Sequence, residues 1–252
     1  MLFEVKNLTY CYPDGSHALD MIDLHIRTKE RIALLGANGS GKSTLLRHLA
    51  GLLFATSGSV SFEGTELTER RLTGSFGTEF RQNVGFVFQN ADAQLFNATV
   101  LEEVAFGPAH QGFSNDEANE RAYETLRFLG IGHLADRPPF RLSGGEKRKV
   151  AIASVLSMNP EVLLFDEPIL GLDPRSQAWF FDALEQLHAA GKTTIVATHM
   201  LDSVSNLADR AIVLNERHTV TRDGDAFNVL GDRVALLDAN LLFEPLREAL
   251  GR

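Results

Sequence analysis

The sequence predicts an α/β fold built on a mainly parallel core sheet. Two observations carry this: short apolar runs of strand length recur along the chain, and stretches with helical apolar spacing lie between them. Residues 2–8 (LFEVKNL) alternate enough for a strand, and HALDMIDLHI (17–26) has period-two character. Pro13-Asp14-Gly15 supplies the turn between them. RIALLG (31–36) is a short apolar run that stops at a glycine, and GKSTLLRHLAGLL then shows helical spacing. Residues 56–64 read as a turn and a strand, and VGFVFQ (84–89) as a buried strand. Residues 99–110 and 114–130 read as helices, the second opened by Ser114 with Glu117 completing a capping box. A helix over 146–158, the apolar strand EVLLFDEP, a helix over 175–190 and strands TTIVAT (193–198) and AIVLN (211–215) complete the pattern. There is no internal repeat and no low-complexity linker.

Composition excludes several function classes. The 252 residues are 44% hydrophobic and 23% charged, enough apolar side chain to offset the entropy of ordering the chain. The formal net charge of −9 argues against a sequence-independent nucleic-acid binder, which needs a basic surface to displace counterions. Of 33 acidic residues 15 follow residue 150, against 8 of 24 basic ones, which reads mainly as a solvated acidic surface. No apolar run approaches the ~18–20 residues needed to cross a bilayer. Glu4 and Lys6 stand where a secretory signal would be apolar, and the single cysteine, Cys11, excludes a disulfide framework or a thiolate cluster. These features together predict a cytoplasmic protein. The 8 histidines are scattered and form no spaced cluster with Cys11, so the residues suggest no transition-metal site.

The segment Gly36-Ala37-Asn38-Gly39-Ser40-Gly41-Lys42-Ser43, followed by Thr44, fits G-x-x-x-x-G-K-[ST] between a strand and a helix. Its glycines let the loop curl so that successive N–H groups face one concavity. The helix beginning near Lys42 adds its positive end. Lys42 is placed to reach β- and γ-phosphates, and the Ser43 hydroxyl to ligate Mg²⁺. In Val162-Leu163-Leu164-Phe165-Asp166-Glu167 a buried strand delivers Asp166 to its end to hold Mg²⁺ through water. Glu167 is placed to orient the attacking water. Leu142-Ser143-Gly144-Gly145-Glu146 precedes a helix, and its N–H and hydroxyl donors make a second anion site.

Taken together, these three motifs resemble the ATP-binding cassette ATPases over roughly residues 2–225. The resemblance implies a P-loop cassette with an antiparallel β subdomain, a helical subdomain at about 90–158 and a short helical extension over 226–252. It also implies ATP and Mg²⁺ as ligands and a head-to-tail pair of cassettes. In that pair the Ser143-Gly144-Gly145-Glu146 signature of one cassette caps the ATP of the other. Gln89 resembles the Q-loop glutamine, which reaches Mg²⁺ and the attacking water. Asp173, in Gly171-Leu172-Asp173, resembles the D-loop aspartate, and His199 the switch histidine that contacts the γ-phosphate. Tyr12 is placed like the aromatic that stacks on adenine, with Tyr10 as its competitor. Pro168-Ile169-Leu170 stands where many relatives have a small polar pair.

Residues 89–96 (QNADAQLF), 103–108 (EVAFGP) and 10–15 (YCYPDG) further resemble the energy-coupling-factor ATPases, particularly the cobalt/nickel type. Relatives often have Pro and Asp at the positions of Ala91 and Ala93. Ala239-Asn240-Leu241-Leu242 and Pro245 also resemble the short tail of such members. This resemblance implies integral membrane coupling and substrate-binding subunits as partners and a peripheral place on the cytoplasmic face of the membrane. All the family motifs are intact, so a homodimer with two competent sites is a simpler expectation than a pair with a paralogue, and the acidity argues against nucleic acid. It also implies that the stretch after Gln89 lines a groove for a membrane-subunit helix, and that a membrane subunit selects any Co²⁺ or Ni²⁺ cargo. The other reading is a soluble cassette acting on DNA or ribosomes. Such proteins usually carry a long coiled-coil insertion or two cassettes in one chain, and this chain has neither.

Overall fold

A computed structural model describes residues 1–243. Pro245 and the rest of the expected extension after Phe243 lie outside the described residues. In chain order the elements are β1 (Phe3–Cys11), β2 (His17–Ile26), β3 (Arg31–Leu35), α1 (Lys42–Leu49), β4 (Ser57–Phe62), β5 (Thr65–Glu66) and α2 (Glu69–Leu72). Next come α3 (Ser75–Asn83), β6 (Val84–Val87), α4 (Val100–His110), α5 (Asn115–Phe128), α6 (Gly144–Leu156), β7 (Val162–Asp166) and α7 (Pro174–Ala189). The rest are β8 (Thr193–Thr198), α8 (Val204–Leu207), β9 (Arg210–Leu214), β10 (Val220–Asp225), α9 (Ala226–Gly231) and α10 (Arg233–Asp238).

The chain forms two compact units, one of residues 1–74 with 193–252 and one of residues 75–192. The first unit holds the antiparallel sheet, in the order β2-β1-β4-β5. Phe3 pairs with Ile26 across β1 and β2 and with Phe62 across β1 and β4. The period-two reading of 17–26 is visible in β2, where Ile22, Leu24 and Ile26 are buried and the residues between them exposed. The same unit holds parallel strands: β8 and β9 run alongside β3, and β10 pairs antiparallel with β9. Ile32 to Leu35 are wholly buried, which explains an uninterrupted apolar run ending at Gly36.

The second unit pairs β6 and β7 in parallel and packs helices α4, α5 and α6 on one another. It includes the expected helical stretch at 90–158 together with strands and α7. Phe165 of β7 meets Phe180 of α7 edge to face, with ring centroids 5.3 Å apart. Each such fully buried aromatic contributes about 1.5–3 kcal/mol. The Ser114–Glu117 capping box is present at the head of α5, and Thr99 forms another with Glu102 at the head of α4. Each cap is worth about 1 kcal/mol. The strand read at 84–89 stops at Val87, leaving Phe88 and Gln89 exposed.

Candidate active site

In the first unit β3 ends at Gly36, and a cradle follows. A Cβ on Gly36 would lie 2.3 Å from Ser40 Oγ and 2.6 Å from the Leu214 carbonyl oxygen. Gly41 has φ +104°, and a Cβ there would lie 2.2 Å from the Ala18 carbonyl oxygen. Side chains are therefore excluded where the loop curls, and left-handed backbone is needed at Gly41. Gly41 is the N-cap of α1; no side chain caps the helix, and its first turn holds no acid. The N–H groups of the first turn and the helix dipole thus favour an anion. Asn38 and Gly39 are exposed at the lip, whereas Ser40 is buried and its Oγ has no hydrogen-bond partner. Lys42 Nζ donates to the carbonyls of Gly36 at 2.8 Å and Ala37 at 3.1 Å, which folds its charge back over the loop. An orphaned hydroxyl, an uncapped helix start and a folded-back ammonium fit a phosphate ligand.

Tyr12 lies just past β1, and its hydroxyl is 2.9 Å from Thr44 Oγ1 on α1. Tyr10 is packed edge-on between the Tyr12 ring, at 5.0 Å, and the His48 ring, at 4.7 Å. Burial pushes the pKa of His48 down, opposed by hydrogen bonding to the backbone of Thr44 and Phe54. Its Nδ1 lies 2.8 Å from the Thr44 carbonyl oxygen. Tyr10, Tyr12, Thr44 and His48 therefore form one cluster against the helix that carries Ser43. His199 is half-buried and directly follows β8, whose six residues are all buried.

The second unit carries the acids. All five residues of β7 are buried, and the strand delivers Asp166 and Glu167 at 3% and 4% exposure. Glu167 has φ +46°, a left-handed conformation that costs a non-glycine residue about 1–3 kcal/mol. Such strain, placed just past the strand end, turns the chain sharply at this acid.

At the head of α6 the Ser143–Glu146 capping box is complete. Glu146 Oε2 accepts from both the N–H and the hydroxyl of Ser143, each at 2.8 Å. The Ser143 donors, read on the sequence as part of an anion site, are engaged here by a carboxylate of their own helix. The same bonds hold the Glu146 pKa below its ordinary value. Ser143 and Gly144 stay exposed, and Gly145 faces Ser176, whose Oγ would lie 3.2 Å from an added Cβ. Asp173 is exposed and caps α7, accepting from the N–H groups of Arg175 and Ser176 and the Ser176 hydroxyl. These bonds lower its pKa, the Ser176 hydroxyl most.

Two residues not singled out on the sequence hold this unit together. Arg148 is 8% exposed and donates from Nη1 to the Phe88 carbonyl at 2.9 Å. Gln94 donates to Ala151 O at 2.7 Å and Ser154 Oγ at 3.1 Å. The sequence carried a signal for Arg148: it shares a helical phase with Ala151, Ile152 and Val155, all buried. Among the described residues no group of three or more His, Cys, Asp or Glu is placed to hold a metal ion. No helix among them is long and apolar enough to cross a membrane.

Nucleotide motifs on this α/β scaffold define a P-loop ATPase cassette. The family model for ABC transporters matches residues 19–170. The energy-coupling factor transporter ATP-binding protein EcfA of Methanosphaera stadtmanae is 42% identical, covering 95% of this chain and 85% of its own length. The solved structure of cbiO1 from Clostridium perfringens, part of the ABC transporter complex cbiONQ, superposes with a TM-score of 0.80 at 36% identity, covering 98% of this chain and 96% of that one. A dimeric ATP-binding cassette in a post-hydrolysis state with ADP and Pi bound also reaches 0.80, at 29% identity over 89% of this chain and 99% of that one. The chain belongs to the ABC transporter family and is an ATPase of that family. ABC cassettes dimerise and work with membrane subunits, and the relatives include EcfA and CbiO proteins.

Proposed function

We propose that the chain is the ATP-hydrolysing subunit of an energy-coupling-factor importer for a divalent transition metal ion, cobalt or nickel. One observation carries the reading of a membrane partner. The second unit has a groove of about 530 Å³ walled by Phe86, Phe88, Phe96, Phe106 and Met158 beside Gln94. Phe96 is 67% exposed there and Phe106 38%. A cluster of open aromatics suits the apolar face of a helix from another protein. The likeness to EcfA and to a subunit of cbiONQ supports this partner class and the cytoplasmic membrane face as its location. The soluble alternative, action on DNA or ribosomes, has no support in the comparisons.

In this reading residues 1–225 form the cassette and α9 and α10 begin its extension. Tyr12 stacks on adenine. The loop Gly36, Asn38, Gly39, Ser40, Gly41 with Thr44 receives the phosphates, and Lys42 swings from its carbonyls to the β- and γ-phosphates. Ser43, Gln89 and Asp166 are the residues that would hold Mg²⁺, which when bound neutralises charge on the phosphates. Glu167 orients the attacking water and His199 contacts the γ-phosphate. Ser143, Gly144, Gly145 and Glu146 meet the ATP of a second, identical cassette, and Asp173 communicates across the pair. The exposure of Ser143, Gly144 and Asp173 supports this, because a solvated turn is free to meet another chain. ATP favours the closed pair through contacts made only on closure. Metal selection belongs to a membrane subunit.

The experiment is purification of the tagged chain from membranes with mass spectrometry of its partners, followed by uptake of labelled cobalt or nickel. Recovery with integral membrane subunits and metal uptake is expected. Recovery only with ribosomes or DNA overturns the assignment.

A further inference from the structure

The backbone at Phe88, the residue before Gln89, is held on both sides by one helix. Beyond Val87 the chain leaves β6. The Phe88 N–H donates to Gln94 Oε1 at 3.2 Å, and the Gln94 amide nitrogen is anchored on Ala151 O and Ser154 Oγ of α6. The Phe88 carbonyl accepts from Arg148, also on α6. Both backbone polar groups of Phe88 therefore end on the helix that Ser143 caps, the N–H through Gln94. Lys147, on the same helix, pairs with Asp92 in the turn after Gln89.

Arg148 is an expensive residue for a purely structural clasp. A buried guanidinium loses hydration, and a neutral carbonyl repays only part of that loss. The charge of Asp166 acts on it favourably, against the effect of burial. Arg148 thus links α6 to the root of the Gln89 loop, within one compact unit. Gln94 adds a second link, because it also lines the aromatic groove.

We propose that Arg148 and Gln94 are positioning residues that lock the Gln89 loop to α6, so that Gln89 and the Ser143-Gly144-Gly145 turn move as one body. This rests on the roles read for Gln89 and Ser143 above. Neither Arg148 nor Gln94 touches nucleotide in this scheme; each acts through the Phe88 backbone.

The test is a double-mutant cycle on the full chain, read as kcat for ATP hydrolysis beside Kd for a fluorescent ATP analogue. Arg148→Met is expected to lower kcat about tenfold and to change Kd less than about threefold. Gln89→Ala is expected to lose turnover comparably. The double variant is expected to match Gln89→Ala within about twofold, because the two residues act on one event. A merely structural role for Arg148 gives multiplied losses, which overturns the proposal, as does an unchanged kcat in Arg148→Met. If Arg148→Met does not fold, Gln94→Met at a half-buried site carries the same cycle. Wild-type turnover in Gln89→Ala overturns the Gln89 reading and the proposal with it. A loss in Gln89→Ala beside wild-type rates in both positioning variants overturns the proposal alone.

Discussion

The Tyr12 hydroxyl and Thr44 Oγ1 lie 2.9 Å apart, tying the residue after β1 to the first turn of the phosphate-loop helix. The bond and the ring are separable. Tyr12→Phe keeps the ring and loses about 0.5–1.5 kcal/mol of stability, the usual net worth of one hydrogen bond. Its Kd for ATP stays within about twofold. Tyr12→Ala removes the stacking platform, which is worth about 1–3 kcal/mol per base, so Kd rises about tenfold. Tyr10 is wedged against His48 and Tyr12, so Tyr10→Ala lowers the melting temperature more than it raises Kd. Calorimetric titration of the three variants checks the assignment, and a larger Kd effect at Tyr10 reverses it.

Lys42 gives a second prediction. Its ammonium rests on two loop carbonyls, so the loop stays closed around a positive charge before nucleotide arrives. Lys42→Met removes that charge where negative charge builds during phosphoryl transfer. Turnover is expected to fall about 100-fold or more, the scale of losing one preorganised electrostatic contact. ATP affinity falls with it. Steady-state kinetics and nucleotide titration read both, and a fall in affinity with kcat unchanged contradicts the role.

His48 makes stability depend on pH in a stated direction. Burial holds its folded-state pKa below the free-histidine value of about 6.5. Above that value the ring is neutral in both states and its contribution is fully present. As pH falls below it, the unfolded chain takes up the proton first, so stability drops until the folded-state pKa is passed. Thermal melts from pH 8 to pH 5 are expected to fall more steeply for the wild type than for His48→Gln. Parallel curves contradict this.

Much of the fold was legible because the elements obey local rules. The apolar runs of β3, β7 and β8 are buried from end to end, and Ser114 with Glu117 reads directly as a helix start. The phosphate loop was legible from its glycine spacing, although the backbone that crowds Gly36 and Gly41 comes from Leu214 and Ala18, distant in sequence. Elements with weak periodicity were not. The strand β10, VTRDGD, has no buried residue, and α3 buries only Gly77 and Phe80. The helix read from residue 146 starts at Gly144, because the cap at Ser143 adds a turn that apolar spacing does not mark. The role of Arg148 lay further out of reach. Its helical phase signals burial, but the carbonyl it holds is 60 residues away in sequence.

Glu167 is the residue on which the proposed hydrolysis turns. Its left-handed backbone and near-complete burial hold one carboxylate at the end of β7. Glu167→Gln keeps the size and the hydrogen-bonding reach but removes the charge proposed to orient water. The measurement is ATP turnover of this variant, with light scattering in the presence of ATP and Mg²⁺. Expected are ATP affinity within about threefold of wild type, turnover reduced about 100-fold or more, and a dimer that persists while ATP is present. Wild-type turnover, or a variant that stays monomeric with ATP bound, contradicts the proposal.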